Sequence, residues 1–241
     1  MTSKKYSISA VIPAYNEEQS IREAVLRTLN TFQVLGLDFE IIIINDGSKD
    51  QTREIVLALV NDYSNIQVLH HEKNQGSGAA FETGIAHATK DYVVFVPVDN
   101  PLDIEDMKTY LPRMDVCDIV VGSRMERVGY GRLARFASFT YNRILIPLLF
   151  NIGLEDVNWI SIYRRNLFVD DVITFNSRSL FWLVEILIRA KKKQLIIAEV
   201  PARMKKRLYG RPTCTRPTIV FQTFVEMIKF FLALRRDKKS R

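Results

Sequence analysis

The stretch Asp91-Tyr-Val-Val-Phe-Val-Pro-Val-Asp99 constrains this chain more than any other. A run of β-branched and aromatic residues with no polar interruption specifies a buried strand. The run closes on a single carboxylate, Asp99, followed at once by Asn100 and Pro101. Proline cannot donate to a sheet ladder, so the strand is expected to stop there. A carboxylate at the C-terminal end of a parallel strand lies where open α/β sheets bind their ligands. The same residue is equally suited to capping the helix that follows.

The preceding chain repeats the design. Tyr6 to Ala14 reads as a strand ending at Pro13, followed by the polar turn Tyr15-Asn-Glu-Glu18 and a helix that starts near Glu18, with Ile21, Val25 and Leu29 on one face. Phe39 to Ile44 is apolar on both faces, as a central parallel strand requires. It leads through Asn45-Asp-Gly-Ser48 into a helix carrying Ile55, Leu59 and Val60, with Ser48 or Asp50 as its cap. Ile66 to His70 is a third strand, and Asn74-Gln-Gly-Ser-Gly78 opens a helix from Ala79 to Thr89. Strand and helix alternate at about thirty residues, the βαβ period. Each strand delivers a polar cluster at its C-terminal end, which places Tyr15, Glu17, Asp46, Asn74 and Asp99 along one edge of one sheet.

Beyond Asp99 the pattern is less regular. Strands are expected at Asp118 to Gly122, Asp156 to Tyr163 and Leu195 to Val200, the last ended by Pro201. Helices are expected at Arg132 to Phe150, Ser179 to Ala190 and Ile219 to Leu234, with a basic loop at Lys205 to Arg216. No internal repeat or low-complexity linker is visible.

At 47% hydrophobic and 25% charged residues, 241 residues can bury a sizeable core. Two cysteines, Cys117 and Cys214, make no disulfide framework, and a reducing compartment is the simpler expectation. The N-terminus lacks the apolar run of a signal peptide. The net charge of +7 is uneven. Arg203 to Arg241 holds twelve Lys+Arg against two Asp+Glu, a surplus of +10 that leaves −3 for the remainder. A basic tail suits nucleic acid or an anionic membrane face, or is simply solvated.

Gly76-Ser-Gly78 suggests a phosphate-binding turn, but a dinucleotide fingerprint needs a third glycine where Phe81 stands. His70 and His71 are adjacent, so on a strand they point to opposite faces and do not share a metal. Cys117 and Trp182 read as core residues, and Asp103, Glu105 and Asp106 as helix-capping acids, with Asp103 a lesser prospect for a metal.

Taken together, Val11-Ile-Pro-Ala-Tyr-Asn-Glu17, Ile44-Asn-Asp-Gly-Ser48 and Asn74-Gln-Gly-Ser-Gly-Ala-Ala80 resemble the family 2 glycosyltransferases of GT-A fold. The branch most similar holds the dolichol-phosphate mannose synthases and bacterial polyprenyl-phosphate sugar transferases. The resemblance spans roughly residues 6–215. It implies a single α/β GT-A domain over 1–216, with a nucleotide-binding half (1–99) and an acceptor half with the basic loop (100–216). Residues 217–241 would add an amphipathic helix and basic tail. It implies that Pro13, Tyr15 and Glu17 lie against the base and ribose of an NDP-sugar (UDP or GDP), that Asp46 contacts the base, and that Asn74 and Gly76 lie along the nucleotide. Asp99 falls on the last aspartate of an Asp-X-Asp motif that holds Mg2+ or Mn2+. Arg124 matches a Gly-Ser-Arg motif, and Arg207 and Gly210 match an Arg-X-X-Gly loop that closes over the diphosphate.

Two positions depart from the pattern. Pro97 replaces the first Asp-X-Asp aspartate. Trp159 and Ile160 follow Asp156 where the family has small residues, which narrows or reshapes the acceptor pocket. The implied reaction is inverting transfer of a hexose to a polyprenyl phosphate at the cytoplasmic membrane face, with no nucleic acid involved. The implied catalytic residues are Asp99, Asp156 and Arg207. Were the acceptor a saccharide or protein hydroxyl, a base would be needed, and Asp156 would supply it. Loss of a metal ligand at Pro97 also leaves open a non-catalytic nucleotide-sugar-binding subunit. No stretch reaches the roughly 20 apolar residues of a spanning helix. The apolar 219–234 segment with its basic end suits a peripheral, interfacial helix.

Overall fold

The computed structural model describes residues 6–99, 103–126, 128–129, 131–204 and 217–239. Strands β1 (Ser7–Ala14), β2 (Asp38–Asn45), β3 (Ile66–His70), β4 (Tyr92–Phe95), β5 (Ile119–Arg124), β6 (Ser161–Arg164) and β7 (Ile197–Ala202) form one sheet in the order β3-β2-β1-β4-β6-β5-β7. β1 pairs in parallel with β2 and β4, β2 with β3, and β5 with β7, while β6 runs antiparallel to β4 and β5. The helices are α1 (Ile21–Val34), α2 (Thr52–Asp62), α3 (Ser77–His87), α4 (Ile104–Met114), α5 (Arg132–Thr140), α6 (Ile146–Phe150), α7 (Asn166–Val169), α8 (Phe181–Lys192) and α9 (Pro217–Lys239), with a π-turn at Tyr141–Leu145 joining α5 to α6.

The period-two rule divides each strand between two cores. Ile8, Ala10 and Ile12 of β1 and Ile41 and Ile43 of β2 face one layer, with Ile21, Val25, Leu29 and Phe32 of α1, Val56 and Leu59 of α2, and Met107, Tyr110 and Met114 of α4. Val11, Ile42, Ile44 and Phe95 face the other, with α3, α8, Ile146 of α6 and Met227 of α9. This two-sided burial explains the unbroken apolar runs. Phe81, where a dinucleotide fold would need glycine, is fully buried. It stacks on Trp182 at 4.5 Å and meets Phe95, Tyr163, Phe168 and Phe175 within 6.3 Å. Truncating such a ring to alanine costs about 3–5 kcal/mol, so α3 is fixed to the sheet by aromatic packing.

The structure changes several expected boundaries. β4 is only four residues long, because the chain leaves the sheet at Pro97, and Asp99 sits in the turn beyond it. β1 continues through Pro13, paired with Ile44, to Ala14. β7 runs through Pro201 to Ala202, since it is the outermost strand in the order and proline is tolerated at an edge. The strand expected from Asp156 begins only at Ser161. The single helix expected over Arg132 to Phe150 contains the π-turn. The basic loop with Arg207 and Gly210, and Cys214, lie outside the described residues.

Candidate nucleotide-sugar site

Because β1, β2, β3 and β4 are mutually parallel, the loops that follow them share one edge. The first two loops are laced together. Asn16, in the left-handed region at φ 55°, accepts the Lys49 N–H at Oδ1 (2.8 Å), while its own N–H donates to Ser48 Oγ (3.0 Å). The Glu17 N–H donates to Thr52 Oγ1 (2.9 Å), and Asp50 Oδ1 takes the N–H of Thr52 at the start of α2 (3.0 Å). These are side chain to backbone bonds of the kind Asn, Asp, Ser and Thr make in turns. They leave Tyr15 exposed beside a rigid double loop, with Pro13 and Glu17 half-buried.

Asp46 organises the third loop. The residue is 3% exposed, and its carboxylate accepts the N–H of Gln75 at Oδ1 and of Gly76 at Oδ2, both at 2.9 Å. His71 Nδ1 lies 2.6 Å from Oδ1. A carboxylate only accepts, so Nδ1 carries the proton and Nε2 faces the Thr83 hydroxyl at 3.0 Å. Gly47, at φ 72°, permits the close approach: a Cβ there would fall 2.6 Å from the Lys73 carbonyl carbon. Asn74 and Gln75 are exposed above this clamp. Asp46 therefore shapes the Asn74–Gly76 turn as well as facing the edge.

Asp99 is half-buried in the turn after β4. Asp103 caps α4, its Oδ1 accepting the Asp106 N–H at 2.8 Å. Among the described residues no group of three His, Cys, Asp or Glu side chains can hold a cation alone. A single carboxylate fits Mg2+ where the cation takes its other ligands from a diphosphate and water.

The second half of the molecule holds a different centre. Arg124, at the end of β5, forms a bidentate pair with Asp156: Nε to Oδ2 at 2.6 Å and Nη2 to Oδ1 at 2.8 Å, both residues buried. The Trp159 ring lies 4.8 Å from the guanidinium carbon, and Ile160 is in the core. The expected roles of Arg124 as a nucleotide ligand and Asp156 as a base thus meet a carboxylate whose two oxygens already engage an arginine. Glu199 Oε1 accepts the N–H groups of Glu155 (2.8 Å) and Asp156 (3.3 Å). Burial foremost, and then the charges of Glu155 and Asp156, hold the Glu199 carboxyl above the usual carboxylate range against those hydrogen bonds. Burial, with the charges of Asp106 and Asp156, also pushes the Tyr110 phenol well up. Sequence inspection missed Asn16, Thr52, His71 and Glu199. Their residue types are ordinary turn and strand-end polar residues, and only the fold supplies the partner.

Residues 9–181 match the family described as Glycosyl transferase family 2, and the chain belongs to that family. Two curated relatives come from Trichomonas vaginalis. Dolichyl-phosphate beta-glucosyltransferase ALG5A is 32% identical over 152 residues, 58% of this chain and 47% of that protein. Dolichyl-phosphate beta-glucosyltransferase ALG5D is 34% identical over 128 residues, 48% and 39% respectively. The matches thus cover half or less of these relatives' length. Among solved structures, glucosyl-3-phosphoglycerate synthase from Mycobacterium tuberculosis, in complex with Mn2+, UDP and phosphoglyceric acid, superposes with TM-score 0.69 at 20% identity over 94% of this chain and 78% of that one. S. aureus TarS in complex with UDP-GlcNAc gives 0.60 at 20% over 87% and 61%. These likenesses define the fold as GT-A.

Proposed function

We propose that this chain is an inverting hexosyltransferase that moves a sugar, glucose foremost, from an NDP-sugar to a polyprenyl phosphate at a membrane face. The observation that carries the reading is the convergence of the Pro13–Glu17 loop, the Asp46-clamped Asn74–Gly76 turn and Asp99 on one sheet edge. Tyr15, Pro13 and Glu17 would seat base and ribose, Asn74 and Gly76 the diphosphate side, and Asp99 a divalent cation. Bound there, Mg2+ or Mn2+ would neutralise charge on the departing diphosphate. Arg207 and Gly210 would close over the same group, the guanidinium offering a bidentate fork.

The acceptor phosphate arrives ionised. One of its oxygens forms the bond to the anomeric carbon while the bond to the diphosphate oxygen breaks, the electron pair leaving with the NDP. Attack from the face opposite the leaving group inverts the centre, and no side chain need take a proton. The Arg124–Asp156 pair supports this over a hydroxyl acceptor, because a base at Asp156 would have to abandon Arg124.

A lipid acceptor also suits the surface. Phe136 (69%), Phe139, Ile144 and Leu148 (79%) are exposed along α5–α6, and Phe221 and Phe224 along α9. The two segments touch where Phe150 meets Phe231 at 5.9 Å. No described helix is long and apolar enough to cross a membrane, so the contact would be peripheral and interfacial.

The test is incubation with labelled UDP-glucose or GDP-mannose, Mn2+ and vesicles containing polyprenyl phosphate. Label in the lipid phase with equimolar NDP supports the reading. Absence of transfer with either donor would overturn it.

A further inference from the structure

An apolar helix that carries a carboxylate in its middle needs a partner for that carboxylate. In α9 the residue is Glu226, and it faces inward. Its Oε1 accepts the N–H of Arg178 at 3.2 Å, and its Oε2 accepts the N–H of Ser179 at 3.1 Å together with the Ser179 hydroxyl. Glu185 of α8, fully buried, does the same one step earlier, accepting the N–H groups of Asn176 and Ser177 and the Ser177 hydroxyl. Four successive backbone N–H groups, 176 to 179, are thus held by two carboxylates from two different helices.

The other side of this strip supports the Gly76–Gly78 turn. The Arg178 carbonyl accepts the N–H of Gly78 at 3.2 Å. A Cβ on Gly76 would stand 2.5 Å from that carbonyl oxygen, and one on Gly78 2.1 Å from the Ser177 oxygen. Both glycines are therefore required by backbone-on-backbone contact with the strip. Arg178 also pairs with Glu82 of α3, and the Trp182 indole N–H donates to Ser77 Oγ at 3.1 Å. On the same inward face α9 is seated by Met227 and, one turn after Glu226, by Phe230 against Phe150 and Phe181.

We propose that Glu226 is a positioning residue for the donor turn: by fixing the 176–179 strip, the C-terminal helix sets the geometry of Gly76–Gly78 and so the affinity for the nucleotide sugar. This rests on the donor-site reading above. By linkage, whatever seats α9 more firmly tightens donor binding, and donor binding steadies α9.

Two readouts separate the coupling from that reading. Hydrogen–deuterium exchange of peptides covering 75–82 is measured without ligand in wild type, E226Q and L232A, the last an exposed α9 control. Donor KM and kcat for UDP-glucose are measured in parallel. E226Q is expected to speed exchange across 75–82 and raise donor KM about tenfold, the scale of one hydrogen bond to a charged group, with kcat within about twofold and partial rescue in E226D. L232A should match wild type. Unchanged exchange in E226Q overturns the coupling. Faster exchange with unchanged KM overturns the turn's part in donor binding instead. If E226Q does not fold, S179A removes one of the same bonds and is judged by the same two outcomes.

Discussion

Two buried carboxylates, one in each half of the molecule, solve the burial problem differently. Asp46 collects two backbone N–H groups and a histidine, all from the loop that follows β3. Asp156 engages the Arg124 guanidinium of β5 with both oxygens and also accepts the backbone N–H groups of Arg124 (3.4 Å) and Asn158 (3.2 Å). The first arrangement fixes the polar Asn74–Gly76 turn in place. The second neutralises a buried arginine and braces the strand ends beneath Trp159. The clamp on backbone leaves the neighbouring Asn74 side chain facing solvent, whereas Arg124 and Asp156 are both buried in their pair.

The largest effect expected from this contrast is at Asp156. Asp156→Ala strands a buried guanidinium and should destabilise by about 3–5 kcal/mol, with most of the loss recovered in Arg124→Met/Asp156→Leu. Chemical denaturation measures both. An Asp156→Ala protein of normal stability but no turnover would make Asp156 a catalytic base and remove the contrast.

Next is Arg207. If its loop stabilises the leaving diphosphate, Arg207→Ala should lower kcat by about 10²-fold, and Arg207→Lys should recover only part, lacking the fork. Full kcat in the alanine variant would return Arg207 to the solvated charge of the tail.

Asp46→Ala sharpens the comparison from the other side. It leaves the Gln75 and Gly76 N–H groups and His71 without their acceptor, at about 1–3 kcal/mol of stability. On the proposed donor site it should weaken donor binding in titration while kcat at saturating donor changes little, because a turn away from the reacting bond would contribute alike to ground and transition states. A kcat loss with unchanged KM would place Asp46 at the reacting bond.

The first hundred residues were legible in sequence because each motif is contiguous and each strand delivers its own polar cluster. The clamp and the lacing of Asn16 to Ser48 join residues about thirty apart, but both ends fall inside recognisable turns. Later in the chain the same distance hides the answer. Arg124 and Asp156 are separated by the α5–α6 segment, and nothing local marks them as a pair. β6 enters antiparallel between β4 and β5, which no periodicity announces. Glu226 reads as a break in an apolar helix until the 176–179 strip is placed beneath it.

The smallest effect concerns Glu199. Its carboxyl titrates above the usual range when folded, so the folded state keeps a proton that the unfolded chain releases, and stability from this group falls as pH rises through that range. Glu199→Gln should therefore raise Tm slightly near neutral pH, with the gain shrinking toward about pH 4. A gain that grows toward acid would reverse the assignment.

The central claim is that the edge formed by β1 to β4 binds a nucleotide diphosphate with a cation at Asp99. Isothermal titration of UDP, with and without Mn2+, into wild type and Asp99→Ala tests it directly. The account predicts Mn2+-dependent binding in wild type and loss of that dependence in Asp99→Ala with the thermal transition preserved. Equal Mn2+-dependent binding by both proteins, or none by wild type with UDP or GDP, would contradict it.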